Sequence, residues 1–223
     1  MSELYDKRMR TFIEEVSVYP VSCEPLCRGR SDREWLDAVL AGGARIVQLR
    51  DKISDDRNLL EKARYFRERT AAAGALFIVN NRLDIALLAG ADGLHLGNTD
   101  IPPQEARRLA PDLLIGVSAN TEEQAASAAG RGASYFNIGP LFATATKKKL
   151  TAFLGADAVT TFSRLSPLPF TVMGGIKLEH IGELCRRGAR RLAVVTALTE
   201  ADDIAAETKK WTDAIRRLQE KRP

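Results

Sequence analysis

Eight short runs of β-branched or apolar residues recur along this 223-residue chain, and amphipathic stretches fill most of the gaps between them. The runs cover 16–21, 44–49, 76–79, 93–96, 113–117, 135–138, 170–173 and 191–195, and each reads as a strand. Helical periodicity occupies 32–40, 55–73, 104–109, 122–129, 178–185 and 204–218. Ser31 and Thr121 stand where N-caps belong, and Pro102-Pro103 precedes a helix start. Alternation of strand and helix implies parallel pairing through right-handed crossovers. The pair Gly-Ala closes a helical stretch ahead of a strand at Gly43-Ala44, Gly90-Ala91, Gly132-Ala133 and Gly188-Ala189. Those intervals of 47, 42 and 56 residues are each about two βα units of a barrel averaging about 28 residues per unit. The expected fold is therefore a single (β/α)8 TIM barrel. Its core would run over 16–211, with 1–15 as an N-terminal extension and 212–223 as the end of the last helix and a tail.

Composition narrows the function classes. With 45% hydrophobic and 28% charged residues the chain can bury one sizeable core. The net charge of +4 is spread along the helices without aromatic-rich or zinc-finger spacing, so we expect small anionic substrates and no nucleic acid. Cys23, Cys27 and Cys185 are an odd set without a C-x-x-C pair, which indicates neither a disulfide framework nor a zinc site and fits a reducing cytoplasm. The N-terminal residues are polar and no apolar run is long enough to span a bilayer, so no membrane association is expected. The sequence leaves room for a homo-oligomer. Of the two histidines, His95 alternates with Leu94 and Leu96 and reads as a satisfied barrel residue rather than a catalyst.

Polar residues gather at the C-terminal ends of the expected strands, where barrel enzymes carry their active sites. In strand order from the second, these ends carry Gln48, Arg50 and Lys52; Asn80 and Asn81; Asp100; Ser118; Thr144, Thr146 and Lys147; Gly174-Gly175; and Thr196. The tract 139–149 sets two threonine hydroxyls and three lysines on one loop, which suits the binding and departure of a diphosphate. We expect the segment 143–154 to act as a lid. Asp100 offers a hard oxygen for Mg²⁺, and the last two loops are the usual barrel position for a phosphate held by backbone N–H groups. The set thus provides for a metal-associated diphosphate and a separate monophosphate.

The ordered strings 43–52, 80–86, 90–100, 116–119, 139–148 and 174–176 resemble those of the thiamine-phosphate synthases, also called thiamine-phosphate pyrophosphorylases, over about 16–211. The resemblance implies a transferase that couples 4-amino-5-hydroxymethyl-2-methylpyrimidine diphosphate to a thiazole phosphate, releasing pyrophosphate with the help of Mg²⁺. It implies that Gln48 binds the aminopyrimidine and that Arg50, Lys52, Asn80, Ser118 and Lys147 bind the diphosphate, with Arg50, Lys52, Ser118 and Lys147 also serving catalysis. Thr144 and Thr146 would line the thiazole side, while Gly175 with the Val195-Thr196 backbone would hold its phosphate. Asn81 and Asp100 would face the metal. The chain departs from the family pattern at Asn81, where Asp is usual, at Asn120, where His is common, and at Asn98-Thr99, Lys149 and Thr196. Two other readings stand beside the synthase: a thiazole tautomerase on the same barrel, whose acid/base His matches Asn120, and a non-catalytic paralogue that binds thiamine precursors or product.

Overall fold

The computed structural model of the chain describes residues 2–144 and 153–220. Its strands are β1 (Val18–Pro20), β2 (Ile46–Leu49), β3 (Leu76–Asn80), β4 (Gly93–Leu96), β5 (Leu114–Ala119), β6 (Tyr135–Ile138), β7 (Phe170–Met173) and β8 (Leu192–Val194). All pair in parallel, in the order β1-β8-β7-β6-β5-β4-β3-β2. The two edge strands meet through a bridge between Val21 and Gln48, reinforced by the Ser22 N–H donating to the Gln48 carbonyl at 2.9 Å. The sheet therefore curls into the expected (β/α)8 barrel.

Helices α1 (Glu3–Glu14), α2 (Asp32–Ala41), α3 (Asp56–Ala72), α4 (Leu83–Leu88), α5 (Pro103–Leu109), α6 (Glu122–Ser127), α7 (Asp157–Ser163), α8 (Ile181–Arg186), α9 (Thr196–Thr199) and α10 (Ile204–Glu220) accompany the strands. The caps read from sequence are present. Ser31 Oγ accepts from the Glu34 N–H while the Glu34 carboxylate accepts from the Ser31 N–H, and Thr121 with Gln124 repeats the arrangement at α6. The Gly-Ala pairs close helices in one way: each glycine has a left-handed φ, and each alanine N–H reaches back to a carbonyl five residues earlier, as Ala44 does to Val39 at 3.1 Å.

The core has two parts. One fills the shell between strands and helices, with Trp35, Phe66, Phe77 and Phe136 among its large side chains. The other lies inside the barrel, where inward-facing residues of alternate pleats, Tyr19, Ile46, Ile78, Leu114 and Tyr135, pack together. Helix α1 joins this inner cluster. Phe12 is buried with its ring 4.6 Å from that of Tyr135, and Arg191 donates to the Phe12 and Ile13 carbonyls at 2.7 Å. Residues 3–14 thus form the floor of the barrel, where the sequence reading had only an extension. With the N-terminal end closed, the opening lies at the C-terminal ends of the strands.

Candidate active site

That open end is a divided cleft. One hollow, of about 320 Å³, is lined by Gln48, Arg50, Lys52, Asn80, Asn81 and Ser118 among others. The second adjoins it across Arg50, Ser118, Asn120, Asn137, Met173 and Ala193, and continues over Thr144, Gly175, Val195 and Thr196. Ten of the expected site residues therefore line one continuous surface. Asp100 sits at its edge, its Oδ2 accepting the Gly97 N–H at 2.6 Å and the Asn81 side-chain amide. Thr146, Lys147 and most of the expected lid lie outside the described residues.

Strand alternation explains which side chains arrive. Asn80 pairs with His95, and Ser118 with Asn137 and Asn137 with Thr171, while Gln48 pairs with Ile78 and His95 with Gly116, each two residues before the next polar residue of its strand; all six therefore share one face and line the cleft above the apolar floor. Hydrogen bonds join some of them to one another and to their neighbours. Thr171 Oγ1 donates to Asn137 Oδ1 at 2.7 Å, and Asn98 donates to Asn120 at 2.7 Å while Asn120 donates in turn to the Gly139 carbonyl. Gln48 Nε2 donates to the Tyr19 hydroxyl at 2.9 Å, and that hydroxyl lies 3.0 Å from the Tyr135 hydroxyl. His95 has Nδ1 3.4 Å from the Tyr135 hydroxyl and Nε2 3.2 Å from Ser118 Oγ. Burial pushes both tyrosine hydroxyls well above their ordinary range, so they remain protonated donors. His95 is a satisfied barrel residue, as expected, yet it also touches a site residue.

The loop after β2 is held from behind. Asp51, between Arg50 and Lys52, accepts the N–H groups of Ile53 and Ser54 at 2.8 and 2.9 Å, the Ser54 hydroxyl at 2.7 Å and the Lys62 ammonium at 2.7 Å. Burial works to raise the Asp51 carboxyl, but these donors outweigh it and hold it well below the usual carboxylate range. Lys62 also binds Asp32 at 2.9 Å and Glu24. Burial pushes Asp32 up to about 6 despite that ammonium. Glu24, Asp32 and Asp51 are the trio of acidic groups whose oxygens come close enough for a metal ion among the described residues. The Lys62 ammonium already takes the central position a cation would need.

Asp100 and Asn81, the residues expected to hold Mg²⁺, lie side by side. Asn81 adopts φ +67°, a left-handed conformation that asparagine tolerates, and its amide bridges two charges: Nδ2 donates to Asp100 and Oδ1 accepts from Lys52. With the amide turned so that Oδ1 rather than Nδ2 faces Asp100, the pair would offer a carboxylate and an amide oxygen beside substrate phosphates, a donor set that suits this ion, which ordinarily takes one or two carboxylates and phosphate oxygens. On the opposite side of the cleft, Gly175 has φ +61°, and a Cβ there would fall 2.2 Å from the Ala143 carbonyl oxygen. Only backbone fits, and α9 begins beside it at Thr196 with first-turn N–H groups directed out of its N-terminal end.

Tyr19, Tyr135, Asn137 and Lys62 escaped the sequence reading. Asn137 was signalled by an amide within an otherwise apolar run, whereas nothing local marks Lys62 as the partner of a loop eleven residues upstream.

The family model for thiamine monophosphate synthase matches residues 18–198. The thiamine-phosphate synthase of Chloroflexus aurantiacus is 39% identical over 204 residues, covering 92% of this chain and 94% of its own. That of Methanoculleus marisnigri is 40% identical over 199 residues, covering 89% and 94% respectively. Among solved structures, a thiamine phosphate pyrophosphorylase from Pyrococcus furiosus superposes with a TM-score of 0.84 at 28% identity, over 91% of this chain and 96% of that one. A 3-hexulose-6-phosphate synthase with a TM-score of 0.66 and 18% identity shares the fold alone. Barrel, strand-end residues and sequence relationship agree over the same span, and the chain belongs to the thiamine monophosphate synthase family.

Proposed function

We propose that this chain joins 4-amino-5-hydroxymethyl-2-methylpyrimidine diphosphate to a thiazole phosphate, forming thiamine phosphate and pyrophosphate. The observation that carries the reading is the divided cleft. Arg50, Lys52, Asn80 and Ser118 line one half beside Gln48, while Gly175, Val195 and Thr196 line the other. A diphosphate in the first half and a phosphate anchored in the second would bring the two rings together between them. Gln48 would bind the aminopyrimidine; Arg50, Lys52, Ser118 and Lys147 would stabilise charge on the departing diphosphate; Thr144 and Thr146 would line the thiazole side.

The bond from the methylene carbon to the diphosphate oxygen breaks, and its electron pair leaves with the diphosphate. The thiazole nitrogen then supplies the pair for the new C–N bond. No proton need be removed, so the site requires positioning and charge stabilisation more than a general base. Mg²⁺ held at Asp100 and Asn81 would neutralise charge on the leaving group. Cys23, Cys27 and Cys185 stand outside any disulfide, which supports a reducing, cytoplasmic setting.

The test is pyrophosphate release by purified protein supplied with both substrates and Mg²⁺. Release that requires both substrates is expected. Binding of either substrate without release would make the chain a non-catalytic binder, and thiazole isomerisation without coupling would make it a tautomerase.

A further inference from the structure

Four links run in line from Gln48 through Tyr19, Tyr135 and His95 to Ser118, and with a neutral ring each of the last four groups carries one mobile proton. Gly116 is part of its construction: a Cβ there would fall 2.2 Å from Cζ of Tyr135, so glycine makes room for that ring inside the barrel. With a neutral His95 ring, two proton arrangements satisfy all four links and leave no tyrosine proton unpaired. In the first, Gln48 Nε2 donates to Tyr19, Tyr19 to Tyr135, Tyr135 to His95 Nδ1, and His95 Nε2–H to Ser118 Oγ. Ser118 then has its own proton left for a ligand. In the second, every link reverses: Ser118 donates to His95 Nε2, His95 Nδ1–H to Tyr135, Tyr135 to Tyr19, and Tyr19 to the oxygen of a turned Gln48 amide. A mixture of the two would leave a buried tyrosine proton without an acceptor, or set two protons or two lone pairs face to face, and either is costly.

We infer that Tyr19, Tyr135 and His95 are positioning residues that couple the two ends of the pyrimidine-diphosphate site, so that Gln48 presents its amide oxygen to one ligand group whenever Ser118 donates its hydroxyl proton to an anion. A Gln48 amide with Nε2 toward Tyr19, as in the 2.9 Å contact, belongs to the first arrangement. An anion at Ser118 selects the same one, because a phosphoryl oxygen accepts and cannot donate. The assignment of Gln48 and Ser118 to the two ends of one ligand rests on the proposed synthase reading. The coupling itself depends only on the links.

Nitrogen-15 spectra of histidine-labelled protein test it, with His180→Gln used to assign the second histidine. Wild-type protein with inorganic pyrophosphate and Mg²⁺ is expected to hold His95 as the neutral Nε2–H tautomer with a bare Nδ1. Gln48→Glu, studied at pH 8, presents only acceptors to Tyr19 and should reverse the chain, switching His95 to the Nδ1–H tautomer. It should weaken pyrophosphate binding on the order of ten- to a hundredfold, as expected for loss of one hydrogen bond to a charged group. In a Tyr135→Phe background, which cuts the chain, Gln48→Glu should leave the tautomer unmoved. Finding Nδ1–H or a doubly protonated ring in the wild type would overturn the inference. So would a tautomer indifferent to Gln48→Glu when Tyr135 is intact. Absence of pyrophosphate binding would instead sink the diphosphate assignment of the site, and the spectrum of the free protein would still test the chain.

Discussion

Asn81 stands at φ +67° with its amide donating to Asp100 and accepting from Lys52. An aspartate at this position would turn a second carboxylate toward Asp100, and their repulsion is relieved by a shared cation. One unit of charge near a hard divalent ion shifts affinity by a few kcal/mol even at an effective dielectric of about 20. Asn81→Asp should therefore lower the Mg²⁺ concentration for half-maximal pyrophosphate release on the order of a hundredfold, about 2.7 kcal/mol, whereas Asp100→Asn should raise it or abolish release. An unchanged Mg²⁺ requirement in Asn81→Asp would remove residue 81 from the metal site. Gly175 offers a second test at this scale. A Cβ there would meet the Ala143 carbonyl oxygen at 2.2 Å, and the left-handed φ is strained for any side chain. Gly175→Ala should raise the KM for thiazole phosphate by about tenfold or more while leaving that for the pyrimidine diphosphate nearly unchanged. Equal effects on both would mean that the substitution disturbs the whole cleft.

At the scale of elements, the loop between β2 and α3 carries Arg50 and Lys52, and its geometry depends on Lys62 reaching back from α3 to Asp51, Asp32 and Glu24. Lys62→Met would leave Asp32 and Asp51, both almost fully buried, without their cation, and should lower stability by about 3 kcal/mol, measured by urea unfolding. A change within error would mean that water already satisfies these carboxylates. The pH dependence has a definite sign. Asp32 titrates near 6 in the folded chain, above its ordinary value, so it binds a proton more tightly folded than unfolded. Its contribution favours folding at low pH and is lost as pH rises from the ordinary carboxylate range through about 6. Asp51, held low, contributes above the ordinary carboxylate range and loses that contribution as pH falls below it. Asp32→Asn should thus make the protein relatively more stable at pH 7 than at pH 5, compared with wild type. None of this network was readable from sequence, because its members come from four separate elements and each looks like a solvated charge on its own. By contrast, the Ser31 and Thr121 caps and the Gly-Ala helix ends were readable, since their physics is local. Helices α4, α7 and α9 are short and carry no side-chain cap, whereas α5 and α6, equally short, were marked by Pro102-Pro103 and by the Thr121 cap. The strand-end residues were legible as a group because a barrel collects every strand's C-terminal end on one face; the link from Tyr19 to Tyr135 was not, since the two lie 116 positions apart.

For the whole molecule, the same closure that gathers the site at one end leaves a hole at the other, and α1 fills it. Phe12 is fully buried, packs tilted against Tyr135 with ring centroids 4.6 Å apart and lies under the Arg191 guanidinium at 4.9 Å, while Arg191, just ahead of β8, holds the backbone of α1. Tyr5 reaches Ser134 at 3.0 Å and Arg8 reaches Asp92 at 3.1 Å, so three separate points of the barrel floor are held. If α1 belongs to the cooperative unit, Phe12→Ala should cost about 3–5 kcal/mol, the usual range for emptying a buried phenylalanine site, and should shift the urea midpoint without changing the slope of the transition. The site lies at the far end of the strands, so turnover per folded molecule should fall by no more than about threefold, and that residual loss would travel through Tyr135, which packs on Phe12 below and meets His95 above. Combining Phe12→Ala with Tyr135→Phe separates the two routes. If the floor acts on turnover through the Tyr135 hydroxyl, the double variant should be no slower than Tyr135→Phe alone, whereas its stability loss should persist. An unfolding midpoint indifferent to Phe12→Ala would make residues 3–14 an appendage to the barrel rather than its floor.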